Sequence, residues 1–368
     1  ECILPSTGVL SPATIARVIG RRIQRFHNSE HIENVLKWMA EKESELALPR
    51  AQFPRVPHYC SGCPHNTSTR VPEGSRALAG IGCHYMVTWM DRSTDTFTHM
   101  GGEGVTWAGQ AAFTETPHVF QNLGDGTYFH SGTLAIRQSI AAGVNITYKI
   151  LYNDAVAMTG GQPVDGKLSV PDIARQVRAE GVQAIAVVSD EIGKWTDASL
   201  FPSGTTFHDR RELDEVQQRL RDVPGTSVLI YDQVCATEKR RRRKRGKMAA
   251  APMRVMINPL VCEGCEDCSR TSHCVSVEPL NTEFGRKRKI NQSTCNQDYS
   301  CLDGFCPSFI TLEGAENAHR EAMPALTADA TPLPQFQELK GVQNIVFTGV
   351  GGTGVTTVAS ILAMAAHV

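Results

Sequence analysis

Two side chains set the first chemical question. In the segment NLGDGTYFHS, Asp125 stands between Gly124 and Gly126, just after the apolar pair Val119-Phe120. Asp-Gly is ordinary turn chemistry. Yet 26 residues after Gly126 are followed by Asn153, in KILYNDAVAMTGGQ. An acid and an amide offer hard oxygens to Mg2+, which takes few protein ligands and leaves its other positions to water and phosphate. Glycines on either side let the backbone approach a diphosphate closely. A helix starting there favours anionic groups.

The cysteines pose the second question. There are twelve in 368 residues. Disulfide frameworks belong to small secreted chains, whereas C-x2-C groupings in a large chain without a secretory signal read as metal or cluster ligands in a reducing compartment. The cytoplasm is the expected home. Cys60 and Cys63 form one C-x2-C, and Cys83 follows in GIGCH. A [4Fe-4S] cluster needs four thiolates, and Cys235, in YDQVCATEK, is the best remaining candidate. A zinc ribbon is the alternative, but it would want a second C-x2-C here.

Further on stand Cys262, Cys265, Cys268 and Cys274, then Cys295, Cys301 and Cys306-Pro307. C-x2-C-x2-C with a later Cys-Pro is ferredoxin spacing, and in two-cluster ferredoxins each fourth ligand comes from the other motif. By that crossing, Cys262, Cys265, Cys268 and Cys306 hold one cluster. Cys274, Cys295 and Cys301 then hold another with only three cysteines. Either a non-cysteine ligand completes it, or one cluster forms and the remaining thiols are structural. Two clusters are the expectation. Cys2 is left over as a plain buried or free thiol.

These residues need elements to position them. Ser11-Pro12 opens a helix, with serine as cap and proline first inside. Ile15, Val18, Ile19 and Ile23 recur at helical spacing, as do Ile32, Val35, Leu36 and Met39. LALPRAQFPRVP is extended linker. From Tyr59 to about Cys235 short apolar runs, such as AIAVVSD and SVLIYDQ, alternate with helical patterns, such as IARQVRAEG and ELDEVQQRLRDV. That predicts an α/β fold with a doubly wound parallel sheet. Asp125 and Asn153 then end neighbouring strands at the carboxyl edge, where open sheets bind ligands. GDG followed by Asn at this distance is a thiamine diphosphate signature.

The expected division is a helical end of an upstream domain over 1–50, the diphosphate-half domain with a proximal cluster over 51–238, and a basic linker over 239–252. A ferredoxin-like domain follows over 253–312, a Pro- and Ala-rich linker over 313–340, and the truncated start of a Rossmann-like α/β domain over 341–368. Formal net charge is -1, so no global pull toward nucleic acid or membrane is expected. No apolar run reaches the roughly 20 residues of a membrane span. The chain opens without Met and ends inside an apolar helical run, which reads as a piece of a larger protein. The run EKRRRRKRGK is expected to be a solvated linker that helps an acidic ferredoxin dock, rather than a nucleic-acid tag. GVGGTGVTT resembles a phosphate-binding turn but lacks the lysine of a P-loop.

Taken together, YCSGCPHNTS, GIGCHYM, MGGEG, GDGTYFHSG, YNDAVAMTGGQ and CEGCEDC resemble the fused indolepyruvate ferredoxin oxidoreductases, within the wider 2-oxoacid:ferredoxin oxidoreductase superfamily. The resemblance implies that Mg2+ is bound by the Asp125 and Asn153 side chains and the Ala155 carbonyl. It implies that Gly82, His84, Gly124, Gly126, Thr127, Gly160 and Gln162 line the cofactor. It supports Cys60, Cys63, Cys83 and Cys235 as one quartet close to that cofactor. The implied reaction is oxidative decarboxylation of a 2-oxoacid, an arylpyruvate such as indolepyruvate, to an acyl-CoA, with ferredoxin reduced and coenzyme A as co-substrate. The carboxylate that faces the aminopyrimidine belongs in this family to an upstream pyrimidine-binding domain, and the C-terminal segment to a so-called gamma domain. A homo-oligomer is implied.

His65, His84 and Glu103 are the candidate catalytic side chains. Hydrogen-bonded loop histidines and a helix-start glutamate are the plainer alternatives. Three broader readings compete with this one. An iron–sulfur scaffold subunit would have no use for Asp125 and Asn153. A nonoxidative thiamine decarboxylase would have no use for the cysteines. A related oxidoreductase could act on a branched-chain or other 2-oxoacid.

Overall fold

The computed structural model describes residues 3–4, 10–46 and 56–314 apart from 165, 167 and 250, and further on 341, 344–349 and 354–367. Cys2, the linker beyond Gly314 and the glycine-rich turn at 350–353 lie outside the described residues. The chain divides into two compact units, Glu1–Val56 and Pro57–Val368.

The first unit holds helices Pro12–Ile23 and Glu30–Leu46. The Ser11 hydroxyl accepts from the Thr14 N–H with Pro12 at the first turn, as the sequence predicts. Gly20 lets the two helices meet: a Cβ there would lie 3.4 Å from Ile32 and Leu36.

In the second unit seven strands form one sheet: β1 (Ala77–Ala79), β2 (Thr94–Phe97), β3 (Val119–Gly124), β4 (Ile146–Tyr152), β5 (Ile185–Ser189), β6 (Thr206–Asp209) and β7 (Thr226–Asp232). Their order is β2-β1-β3-β4-β7-β5-β6, and each pairing is parallel. The central strands are apolar throughout because both faces are covered. On one face Ile146, Tyr148, Ile150, Val187, Val228 and Ile230 pack with Ile136, Ile173 and Val177 of the helices Thr133–Ala141 and Val170–Glu180. On the other, Leu151, Val188, Leu229 and Tyr231 meet Leu213, Val216 and Leu220 of the helix Leu213–Arg221. Each such side chain contributes about 1.5–3 kcal/mol by leaving water. Helices on both faces of a parallel sheet make the double winding that the alternating pattern predicts.

The winding fixes where a ligand can sit. From β1 the chain runs outward to β2, then returns to β3 on the other side of β1. Two neighbouring strands thus send their following loops in opposite directions and open a crevice at their carboxyl ends.

The cysteine-rich part has β8 (Met253–Ile257), β9 (Val277–Thr282), β10 (Gly285–Ile290) and β11 (Phe309–Glu313), paired antiparallel as β8 with β11 and β9 with β10. Its apolar cluster is thin. Ile257, Val277, Ile290 and Phe309 share it with Cys262, Cys268, Cys274 and Cys301.

One expectation needs correcting. The basic run is not a solvated linker through its length, because Ala236–Lys244 is a helix. Glu238 pairs with Arg241 and Arg242, three and four residues on, the spacing that supports a helix. The arginines also have distant partners. Arg240 donates to the Ser293 carbonyl at 2.6 Å and Arg243 to the Asn296 carbonyl at 3.0 Å. Arg241 donates to the Gly160 and Gly161 carbonyls at 2.6 and 2.8 Å. Arg242 meets Asp154 at 2.6 Å. No helix among the described residues is long and apolar enough to cross a membrane.

Candidate functional site

β3 ends on Gly124, and Asp125 begins a helical stretch that runs through Asp125–Thr127, a wider π turn at Tyr128–Gly132, and Thr133–Ala141. Such wide turns are frequent at functional sites. The Asp125 carboxylate accepts three backbone N–H groups. Oδ1 takes Gly126 at 2.9 Å, and Oδ2 takes Asn153 and Asp154 at 3.0 Å each. One side chain therefore ties the tip of β3 to the tip of β4. Burial pushes its pKa up to about 6, against these three hydrogen bonds, which lower it. Desolvation wins because nothing of opposite charge is at hand, and a bound cation is what would reverse the balance.

Asn153 is buried, and its Oδ1 accepts from the Ala155 N–H at 3.1 Å. Between them Asp154 holds φ at +57°, a conformation that costs a non-glycine residue about 1–3 kcal/mol and persists where surrounding contacts impose it. Its N–H and its carboxylate are both tied, to Asp125 and to Arg242.

A cavity of about 380 Å³ opens here, across the crevice between β1 and β3. Asp125, Asn153, Gly82, Thr127, Ala155 and Gly124 line its polar end. Met100, Phe129, Val156 and Met158 give it an apolar wall. His65 and His84 face it as well. Both are buried, and their rings lie 5.6 Å apart, edge to face. Burial lowers His84 to about 4, and burial together with His84 lowers His65 to about 3. Both imidazoles are therefore neutral at neutral pH. His65 Nδ1 bonds the Ser68 hydroxyl at 3.3 Å. His84 Nε2 is buried without a partner. The His84 ring sits so close to the backbone that a Cβ on Gly82 would lie 2.7 Å from it, and one on Gly124 3.2 Å. Gly82 also holds φ at +152°, so two constraints require glycine there.

Glu103 is completely buried at the start of the helix Val105–Gln110. Its Oε2 accepts from the Gly101 N–H at 2.6 Å, while Oε1 has no partner. Burial raises its pKa, with the His130 charge and backbone bonds pulling the other way. It does not line the cavity, although His130 does. Gly160 and Gln162 also lie off the cavity wall, where the family resemblance had put them. They belong to a turn closed by Val156 N–H to Gln162 O at 2.8 Å, with the Gln162 side chain bonded to Thr159. Arg241 takes the carbonyls of that turn, and the arginine run had no pattern that named this partner.

The thiols gather in groups. Cys60 and Cys63 precede the short helix His65–Ser68, Cys83 follows β1, and Cys235 follows β7. Burial raises the Cys63 thiol, and Cys60, Cys235 and Cys83 raise it further. Cys83 is pushed to about 11 by burial and by Cys235 and Cys60. These four therefore lie within electrostatic reach of each other. The Cys235 N–H also donates to the Asn153 carbonyl at 3.0 Å, which joins this group to the tip of β4.

In the cysteine-rich part, burial raises Cys268, and Cys306 and Cys262 raise it further. Cys301 is pushed to about 12 by burial, then by Cys274, Cys295, Asp298 and Cys268. Among the described residues no three His, Cys, Asp or Glu side chains converge as a single metal ion would need. A zinc ion wants its thiolates about 2.3 Å from one point, whereas a cluster spreads them over separate irons.

Sequence comparisons bear out the resemblance. No family model matches the chain. The chain is 26% identical over 298 residues to the indolepyruvate oxidoreductase subunit IorA of Thermococcus kodakarensis, covering 73% of this chain and 41% of that protein. The subunit of the same name from Pyrococcus horikoshii is 27% identical over 251 residues, covering 61% and 36%. That from Archaeoglobus fulgidus is 26% identical over 287 residues, covering 72% and 41%. The chain thus spans about two fifths of the length of these relatives. Among solved structures, a 2-oxoglutarate:ferredoxin oxidoreductase from Magnetococcus marinus matches at 20% identity and TM-score 0.37, over 51% of this chain and 67% of its own. The curated proteins to which the chain is similar carry the name indolepyruvate oxidoreductase subunit IorA.

Proposed function

We propose that this chain supplies the diphosphate half and the electron-transfer side of a thiamine-diphosphate-dependent 2-oxoacid:ferredoxin oxidoreductase. The reaction is oxidative decarboxylation of an arylpyruvate such as indolepyruvate to acyl-CoA and CO2, with ferredoxin reduced, in the cytoplasm. The observation that carries this reading is the buried pair Asp125 and Asn153 at adjoining strand tips, on a cavity shared with His65, Cys83 and His84.

The residues fit the group. A buried carboxylate with a raised pKa, a buried amide oxygen, the Ala155 carbonyl and a helix start suit a Mg2+-bound diphosphate. Thiamine diphosphate, when bound, supplies the carbanion stabilisation by which a 2-oxoacid loses CO2. Asp125 and Asn153 hold the ion. The neutral His84 ring lines the cavity beside Gly82 and Gly124, with its Nε2 buried and without a hydrogen-bond partner. His65 packs against the His84 ring and orients it. Met100, Phe129 and Met158 give the cavity an apolar wall that suits an aryl side chain. Cys60, Cys63, Cys83 and Cys235 carry a [4Fe-4S] cluster beside this cavity. The cysteine-rich part passes electrons on to ferredoxin. An upstream pyrimidine-binding domain and a gamma domain complete the enzyme, which acts as a homo-oligomer.

Asp125→Ala tests the reading. Thiamine diphosphate binding, measured by calorimetry, should fall at least about a hundredfold, the scale of losing a charged ligand, while iron content is unchanged. Undiminished binding, or loss of iron together with the cofactor, overturns it.

A further inference from the structure

The cluster proposed on Cys274, Cys295 and Cys301 is one cysteine short, and the spacing says where the absent ligand belongs. The first motif is Cys262-x2-Cys265-x2-Cys268. The second reads Cys295-x2-Asp298-x2-Cys301, with Cys306 following. Asp298 stands where the middle cysteine of the first motif stands. Asp298 is the only carboxylate between Cys295 and Cys301.

The structure brings Asp298 to the site. Its side chain is 8% exposed. The α/β sheet anchors it from the other side. Arg210 Nη1 and Gln233 Nε2 both donate to Oδ1, at 2.6 Å each, and Arg210 Nη2 donates to the Asp298 carbonyl at 2.6 Å. No hydrogen bond among the described residues ends on Oδ2. Gly62, inside the Cys60–Cys63 loop, makes room: a Cβ there would lie 2.8 Å from the Asp298 Cβ. The neighbouring loop residue Ser61 meets the Cys274 Sγ at 3.2 Å, and its carbonyl accepts from Asn296 at 2.8 Å.

We propose that Asp298, through Oδ2, is the fourth ligand of the iron–sulfur cluster held by Cys274, Cys295 and Cys301, and that Arg210 and Gln233 position it. The inference rests on the reading of these cysteines as cluster ligands. The carboxylate, held by the Arg210 guanidinium through Oδ1, donates a lone pair to one iron through Oδ2. Oxygen is a harder donor than thiolate and suits a soft cluster less well. The iron at Asp298 is therefore the one that leaves most readily, giving a three-iron cluster. It also lies on the side facing the Cys60–Cys63 loop.

The test uses the full-length holoenzyme, purified without oxygen, as wild type, D298A and D298C. Iron and sulfide are counted, and low-temperature electron paramagnetic resonance is recorded before and after brief ferricyanide oxidation. In the wild type oxidation should remove about one iron per chain and raise a three-iron signal, and ferrous ion with a reductant should reverse both. D298A should carry that signal from the start. D298C, which supplies the thiolate of the first motif, should keep its iron through oxidation; this gain is readable even if D298A folds poorly. The inference is overturned if D298A keeps the full iron count with an unchanged spectrum. It is equally overturned if a three-iron signal in the wild type survives unchanged in D298C. Absence of iron from every cysteine group would instead defeat the cluster reading beneath it.

Discussion

The strand tips and the cysteine-rich part achieve order by opposite means. At the sheet edge, polar atoms are held by the backbone. Asp125 takes three N–H groups, and Asn153 takes one. The sheet beneath is packed on both faces by aliphatic side chains. In the cysteine-rich part the thiols make up much of the apolar cluster themselves. One region is built before its ligand arrives. The other would lean on the proposed clusters to be built, as small metal domains do.

The largest expected effect follows from that contrast. Stripping iron from the holoenzyme with a chelator and oxidant should abolish hydrogen-exchange protection across 253–313, while the strands β3, β4 and β7 stay protected. If both regions opened together, the contrast would be false.

Acid should press on the sheet edge in a defined window. The folded value of His84 lies at about 4, against an ordinary 6.5. Between these values the unfolded chain binds a proton that the folded chain refuses. The contribution is therefore complete above about pH 6.5 and is lost as pH falls toward 4. It amounts to about 3 kcal/mol at most, from about 1.4 kcal/mol per pKa unit. Denaturant titrations at stepped pH should show this slope, and His84→Gln should reduce it, leaving the part that His65 contributes over the same window.

A smaller effect tests the fit of the histidine. Gly82→Ala puts a Cβ against the His84 ring in a strained conformation and should cost about 1–3 kcal/mol, with weaker thiamine diphosphate binding. An unchanged melting temperature would show that the ring has room to move. The smallest is Arg241→Ala, which frees the Gly160 and Gly161 carbonyls. It should lower cofactor affinity only a few-fold, the scale of one to two hydrogen bonds, without changing the iron count.

Much of the sheet was legible because buried parallel strands leave continuous apolar runs, such as VLIY in β7, and helices leave period-3.6 patterns. Asp125 and Asn153 were legible because strand ends in such a sheet fall at one edge. The arginine helix was not. Four consecutive arginines look like a solvated run when only composition is weighed, and their partners lie far off in sequence, at Gly160, Ser293 and Asn296. The Glu238 to Arg241 and Arg242 spacing was the available signal. Gly160 and Gln162 were misplaced for a related reason. A TGGQ turn shows its glycines in sequence but not the direction it faces. Asp298 stands at cysteine spacing, but a cysteine pattern alone does not single out a carboxylate.

The helix Ala236–Lys244 has one more consequence. It starts at Cys235, grips the Gly160–Gly161 turn on one flank, and grips Ser293, Asn296 and Gln297 on the other. A strut fastened at both ends would keep the gap between the two proposed clusters from breathing. Tunnelling rates decay steeply with separation, so this brace would keep the hop between them steady while the loops around it move.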